Sequence, residues 1–78
     1  MYIVKIEDAC VEYFNEKENA IKRAKELFDE CIYTDPYTGS IEKFEEEYEV
    51  KYEDIMKEIE TGYYRDDWLV IHKIVTED

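Results

Sequence analysis

The helical part of this protein is decided by residues 41–60, IEKFEEEYEVKYEDIMKEIE, which hold nine carboxylates and three lysines. Apolar and aromatic side chains recur here at spacings of three and four, which is typical of one face of an α-helix. Ser40 precedes the segment as an N-cap residue, and Gly62 follows it as a C′ residue. The stretch YEVKY alternates like a strand, and its Val50 and Tyr52 are β-prone. We therefore favour two helices, 41–48 and 52–61, over one helix from 41 to 61.

The residues at the amino terminus, 2–14, predict a β-hairpin. A two-residue turn at Asp8 and Ala9 pairs Lys5 with Glu12 across the strands, a favourable contact between opposite charges. Asp-Ala is not a preferred hairpin turn, so a loop longer by one or two residues is the alternative. The two-residue turn predicts one apolar face that contains Tyr2, Val4, Ile6, Val11 and Tyr13.

A further helix follows the hairpin, and a strand ends the chain. Asn15 can cap the helix, with Glu18 completing a capping box. WLVIHKIV, residues 68–75, is nearly continuously apolar and predicts a third strand.

The chain of 78 residues is predicted to form one domain. We predict an α+β fold in which a three-stranded antiparallel sheet, built from the hairpin and the C-terminal strand, carries two or three helices on one face in the order ββα(α)αβ. The apolar stripe of the first helix is Ala20, Ile21, Ala24, Leu27, Phe28 and Cys31.

The net charge is the strongest compositional signal. Twenty-two Asp and Glu against ten Lys and Arg give −12. A field of this sign repels nucleic acid and anionic membranes and attracts cationic surfaces, so we expect neither direct nucleic-acid binding nor membrane association. The opening MYIVKIED is too short and too charged for a secretory segment. We therefore expect a cytoplasmic protein whose two cysteines stay reduced.

The residues that usually carry catalysis lack the required spacing. Cys10, Cys31 and His72 do not match a zinc pattern. Two glycines cannot build a glycine-rich phosphate loop, and a catalytic carboxylate pair needs a pocket that shifts its pKa. We expect no enzyme activity, no metal and no cofactor.

The acids of residues 41–60 are the first candidate site. Glu42–Glu46, Glu45–Glu49 and Glu49–Glu53 are like-charge pairs four residues apart, and each such pair destabilises a helix by roughly 0.2–0.5 kcal/mol. Carboxylates four apart rise about 6 Å along a helix, a scale comparable with the roughly 3.4 Å between phosphates of one DNA strand. The alternative is a face that serves solubility only. The predicted phosphate-mimicking surface consists of Glu42, Glu45, Glu46, Glu49, Glu53 and Asp54.

The second candidate is YYRDD, residues 63–67, which combines aromatic and charged side chains. Tyrosine is enriched at protein interfaces, where it anchors partners. We predict that Tyr63, Tyr64, Asp66 and Asp67 contact the same partner. The alternative is that these tyrosines cover a small core.

Three stretches carry a resemblance to a known type of protein. MYIVKIED, EKFEEEYE and YYRDDWLVI resemble the small, acidic, tyrosine-rich proteins of bacteriophages that infect low-GC hosts. The resemblance covers size and composition, with no residue motif. It implies a host-takeover factor of the anti-CRISPR or DNA-mimic type.

These observations together predict a non-enzymatic inhibitor that blocks the DNA or RNA site of a basic nucleic-acid-binding protein. A CRISPR effector is the first expected partner, with a histone-like protein or a polymerase behind it. The alternative is a small acidic adaptor or a homodimer that pairs through the apolar C-terminal strand.

Overall fold

A computed structural model describes residues 1–7 and 10–74 of the chain. They form four strands and three helices, which confirms the predicted α+β class. The elements are β1 (Tyr2–Ile6), β2 (Cys10–Phe14), α1 (Lys17–Thr34), α2 (Ile41–Tyr48), α3 (Tyr52–Glu60), β3 (Tyr64–Arg65) and β4 (Leu69–Lys73).

The sheet has four antiparallel strands in the order β2-β1-β4-β3, so the prediction of three strands was wrong. The additional strand is β3, where Tyr64 pairs with Ile71 and Arg65 with Val70. Two residues are too few to show an alternating pattern, so β3 left no periodic signal in the sequence. The predicted C-terminal strand is confirmed as β4, which begins at Leu69 and ends at Lys73; residue 75 of the predicted range lies outside the described residues.

The hairpin register differs by one residue from the two-residue turn that the sequence favoured. Ile6 pairs with Cys10, and Val4, not Lys5, pairs with Glu12. Three residues therefore separate the paired ends Ile6 and Cys10, which agrees with the longer alternative; the predicted turn residues Asp8 and Ala9 lie outside the described residues. Because a shift of one residue exchanges the two faces of a strand, Val11 and Tyr13 lie away from the core and are exposed. Their prediction as apolar-face residues was wrong.

Helix α1 buries its stripe against the same face of the sheet that carries Val4 and Ile71. Its N-cap is Glu16, with no capping bond from the side chain, so the predicted cap at Asn15 was wrong. Glu12 does not pair with Lys5 as predicted but lies on the face of the sheet that meets α1. Its carboxylate accepts a hydrogen bond from Arg23 Nε at 2.7 Å. This ion pair ties β2 to α1. The core residues are Val4, Ala20, Ala24, Leu27, Phe28, Ile32, Phe44, Ile59, Tyr64, Leu69 and Ile71.

The break between α2 and α3 confirms the two-helix prediction for residues 41–61. Ser40 caps α2, since its Oγ accepts from the Lys43 amide at 3.2 Å. Helix α2 ends at Tyr48, and α3 begins at Tyr52. Glu49 between them has φ 54° and ψ 43°, the left-handed conformation that ends many helices.

Gly62 closes α3 in a conformation that would strain any residue with a side chain. Its φ is 88°, which only glycine adopts without strain. A Cβ at this position would also lie 3.2 Å from Cε2 of Tyr2 and 2.9 Å from Cε of Lys17. The glycine therefore lets α3 end close against the start of β1.

Within residues 1–7 and 10–74, no helix covers the face of the sheet opposite the core. By strand alternation it presents Lys5, Val11, Tyr13, Arg65 and Val70, each exposed or half-exposed. Strand β4 lies between β1 and β3, so its backbone is already paired on both sides at Val70 and Ile71. β2 and β3 form the edges of the sheet, so a second copy cannot pair with β4 along Val70 and Ile71, and a dimer through the C-terminal strand stays a prediction.

Candidate functional site

An acidic cleft of about 720 Å³ lies where α2 turns into α3. The end of α2 and the first two turns of α3 form its walls, and Tyr64 of β3 contributes to the lining. Five carboxylates and one lysine line the cleft, and none of them forms an ion pair within residues 1–7 and 10–74. We define the acidic cleft by Glu45, Glu46, Glu49, Asp54 and Glu58, with Lys51 as the single base.

Glu49 stands at the most constrained position of the cleft. It is the only non-glycine residue with positive φ among those the structure describes. The left-handed conformation costs a residue with a Cβ about 1–2 kcal/mol, and glycine or asparagine adopts it far more readily. The chain therefore keeps an exposed carboxylate at a position where stability alone favours glycine.

Glu45 has a structural role as well as a place in the cleft lining. Its carboxylate accepts a hydrogen bond from the Tyr52 amide at 2.8 Å, which satisfies a free N–H at the start of α3. Its carbonyl accepts from the Val50 amide at 3.3 Å. Glu45 thus fixes the angle between the two helices, and its carboxylate is less available to a partner than predicted.

Replacing Glu45 with alanine should lower the free energy of unfolding by about 1 kcal/mol, the usual cost of losing a capping side chain. Urea denaturation followed by circular dichroism measures this difference. The matched control is Glu46→Ala, because Glu46 is the exposed neighbour with no described hydrogen bond. Its effect should stay within about 0.5 kcal/mol; equal losses in the two variants would contradict the capping role.

Two of the predicted acids lie outside the cleft. Glu42 is exposed on the first turn of α2. Glu53 is exposed on α3 and lies 3.8 Å from Lys57, so it is partly compensated. The expected repulsion between Glu49 and Glu53 along one helix does not apply, because the chain breaks between them.

The segment YYRDD divides into structural and exposed residues. Tyr64 is buried, and its hydroxyl donates to the Asp66 carboxylate at 2.5 Å. Asp66 also accepts from the Trp68 and Leu69 amides at 2.6 and 2.7 Å, so it holds the turn between β3 and β4. Tyr63 is 66% exposed and Asp67 is exposed, so these two of the four predicted contact residues remain free to contact a partner.

An aromatic pocket of about 320 Å³ adjoins the acidic cleft. Phe44, Tyr48 and Trp68 form its aromatic wall, with Asp66 and Asp67 beside them. Tyr48 and Trp68 meet edge to face with ring centroids 5.4 Å apart. The pocket and the cleft share Val50, Ile55 and Tyr64, so they form one continuous surface.

The pKa is raised for two groups, the Tyr48 phenol of the aromatic pocket and the Cys31 thiol of α1. Partial burial and the charges of Asp35, Glu47 and Asp67 raise the pKa of Tyr48. Burial, with smaller contributions from Asp66 and two other carboxylates, raises the pKa of the Cys31 thiol. A raised pKa reduces the thiolate fraction, so Cys31 is a poor nucleophile.

Residues 1–7 and 10–74 hold no group of three or more His, Cys, Asp or Glu side chains arranged to bind a metal ion. No helix in the same ranges combines the length and the apolar character that a membrane span needs.

Sequence reasoning missed several residues of this surface. Glu58 lies one helical turn after Asp54 on the same face of α3, so helical spacing could have found it. Tyr48 and Trp68 are 20 positions apart in sequence, and only tertiary packing brings their rings together. No local pattern signals such a pair.

The chain was compared with protein-family models, curated proteins and solved structures, and it matches none of them.

Proposed function

We propose that this protein is a non-enzymatic inhibitor that binds a basic nucleic-acid-binding protein through the acidic cleft and blocks its DNA or RNA site. The resemblance to small acidic phage proteins makes a CRISPR effector the first partner to test, with a histone-like protein or a polymerase next. Glu46, Glu49, Asp54 and Glu58 take the places of phosphates in this proposal. Tyr63 and Asp67 add contacts beyond the cleft.

The retention of Glu49 in a left-handed conformation is the observation that carries the proposal. Residues held in costly backbone conformations cluster at functional sites, where the surrounding structure maintains them. Here the bond from the Tyr52 amide to Glu45 maintains the turn. A surface that served solubility alone has no need of a carboxylate at this position.

The remaining cleft acids support the same proposal because no lysine or arginine of the described residues forms an ion pair with them. The ion pairs in the described part of the chain use Glu12, Glu26, Glu53 and Glu60, which leaves the cleft carboxylates to external cations. Arginine binds carboxylates with two parallel hydrogen bonds, which fixes orientation as well as adding affinity. Binding of this kind is fast at low salt and weakens as salt screens the charges.

Replacing Glu49 with glycine tests the proposal, because it should raise stability and lower binding at once. Relief of the backbone strain should add about 0.5–1 kcal/mol to the free energy of unfolding. Loss of the carboxylate should weaken binding about tenfold, the equivalent of about 1.4 kcal/mol. Urea denaturation measures the first effect. A gel-shift competition, in which the protein displaces labelled DNA from the basic partner, measures the second.

The matched control removes the same charge elsewhere. Glu30 is exposed on α1 and does not line the cleft, so Glu30→Gln changes the net charge by the same amount as Glu49→Gly. The Glu30 variant should compete like the unmodified protein. Equal competition by the Glu49 and Glu30 variants would show that only net charge matters. Failure to displace DNA from a CRISPR effector, a histone-like protein and a polymerase would refute the proposal.

A small adaptor or homodimer is the second candidate, and the uncovered face of the sheet favours it. Val11 and Tyr13 on that face are 46% and 61% exposed, and β2, which carries them, is an edge strand. An edge strand offers unpaired backbone groups to another chain. Sedimentation separates the candidates, since a dimer that persists at high salt and does not compete with DNA supports the adaptor.

A further inference from the structure

Three rings that pack on one another line the aromatic pocket beside the acidic cleft. Phe44 is 4% exposed, and its ring centroid lies 5.2 Å from that of Tyr48 and 6.1 Å from that of Trp68. Tyr48 is 45% exposed, so part of its ring surface remains open to a ligand. The volume of about 320 Å³ accommodates one long side chain.

Carboxylates give this pocket a negative potential. Asp66 and Asp67 lie along it. Both oxygens of Asp66 already accept hydrogen bonds from Tyr64, Trp68 and Leu69. Asp67 is exposed and forms no hydrogen bond or ion pair with any other residue that the structure describes. The Asp67 carboxylate is therefore the group that can bind an incoming donor.

We propose that the aromatic pocket binds an arginine side chain of the basic partner, with the guanidinium stacked on Tyr48 or Trp68 and an N–H donated to the Asp67 carboxylate. This inference rests on the proposed function for the identity of the partner. It adds a second binding element, because the acidic cleft recognises charge whereas the pocket recognises a planar cation.

The chemistry of the walls selects a cation and, among cations, arginine. The face of an aromatic ring carries partial negative charge and attracts a cation, most strongly for tryptophan. A guanidinium is planar and weakly hydrated, so it stacks on a ring and still forms directed hydrogen bonds with a carboxylate. A lysine ammonium is a strongly hydrated point charge that cannot stack. An uncharged apolar side chain can form neither a hydrogen bond nor an ion pair with the Asp67 carboxylate.

The position of the pocket fits a strongly basic partner surface. Val50, Ile55 and Tyr64 line both the pocket and the acidic cleft. An arginine held in the pocket therefore places neighbouring bases of the same partner within reach of the cleft carboxylates. The stacked side chain fixes the register in which those bases meet the acids.

Trp68 is the only tryptophan of the chain, so its fluorescence reports on the pocket directly. The protein is titrated with acetyl-arginine amide, and acetyl-citrulline amide and acetyl-lysine amide serve as comparisons at matched ionic strength. Citrulline has nearly the shape of arginine without its charge. We expect a saturable change in Trp68 emission with the arginine amide, binding at least about fivefold weaker with the lysine amide, and no saturable change with the citrulline amide.

Variants assign the binding to the pocket. Asp67→Asn should weaken binding of the arginine amide about fivefold, and Tyr48→Ala should abolish saturation. Tyr48→Phe keeps the ring and should bind like the unmodified protein. Asp67 is exposed and its variant keeps the side-chain shape, so this test does not depend on how Tyr48→Ala folds. Glu46→Gln with Glu49→Gln alters the cleft alone and should leave arginine binding within about twofold.

Two results would overturn the assignment: equal responses to arginine and citrulline amides, or unchanged binding in Asp67→Asn. The titration contains no partner protein, so its outcome is independent of the DNA competition. Saturable arginine binding without displacement of DNA supports the pocket and refutes the proposed inhibition. Displacement of DNA without arginine binding supports the cleft and refutes the pocket.

Discussion

Replacing Phe28 with alanine should remove a large share of the protein's free energy of unfolding. Phe28 is fully buried in α1, and its ring meets those of Phe44 and Tyr64 edge to face at 5.4 and 6.1 Å, with Tyr52 tilted against it at 6.2 Å. It therefore joins all three helices to β3. Phe→Ala substitutions in cores cost about 3–5 kcal/mol. A domain of this length has a total stability of about 4–12 kcal/mol, so the loss removes much of it.

Urea denaturation followed by near-ultraviolet circular dichroism measures this loss, because that signal reports on packed aromatic rings. Tyr33→Ala is the matched control on the same helix, since the Tyr33 side chain is 56% exposed. We expect this control to change the free energy of unfolding by less than about 0.5 kcal/mol. A Phe28 variant as stable as the Tyr33 variant would mean that the aromatic cluster does not organise the core.

The helices could be predicted from sequence because their signals are local. Ser40, the apolar spacing and Gly62 lie within or beside the helices that they delimit. The break at Glu49 was readable as well, since β-prone residues interrupt the helical pattern there. What the sequence did not contain was the left-handed conformation of Glu49, because glutamate has no preference for it.

The sheet was harder to predict because its pairings depend on distant residues. The hairpin register depends on whether the loop has two or three residues, and Asp-Ala does not specify either. In the observed register Glu12 bonds to Arg23, a contact between residues 11 positions apart. β3 exists because Asp66 folds the chain back onto β4 through its bonds to Trp68 and Leu69.

The candidate site was predictable in its charge and not in its geometry. The sequence indicated the right segment, and Glu46, Glu49 and Asp54 do line one cleft. It could not distinguish these acids from Glu45 and Asp66, which accept hydrogen bonds from the protein's own backbone. The sequence alone does not show whether a carboxylate is free to bind a partner or accepts a hydrogen bond from a backbone amide of the same chain.

The two tyrosine–aspartate contacts in this fold carry a consequence for stability at high pH. The Tyr52 hydroxyl donates a hydrogen bond to the Asp29 carboxylate, and the Tyr64 hydroxyl donates one to the Asp66 carboxylate. In both cases burial, then the hydrogen bond and the negative charge of the aspartate, raise the pKa of the tyrosine above its ordinary value of 10.0. An ionised phenol in either position loses its hydrogen bond and faces a carboxylate.

The protein should therefore lose stability steeply above pH 10. Below pH 10 both tyrosines are protonated in the folded and the unfolded chain, so their contribution to stability is complete and constant. Above it the unfolded chain releases these protons while the folded chain retains them, so the folded state binds more protons and stability falls as pH rises. The slope approaches about 1.4 kcal/mol per pH unit for each tyrosine, or about 2.8 for both. Urea denaturation at a series of pH values above and below 10 measures it.

Replacing both tyrosines with phenylalanine isolates their contribution, because the lysines titrate in the same range in either protein. Tyr52→Phe with Tyr64→Phe keeps the rings packed around Phe28 and removes the two ionisable hydroxyls. The double variant should start at lower stability near neutral pH, since Asp29 and Asp66 each lose a donor. Its stability should then decline much less between about pH 10 and 11.5, so the two curves converge. Parallel curves would mean that other groups cause the alkaline loss and that these hydroxyls ionise as readily in the folded chain as in the unfolded one.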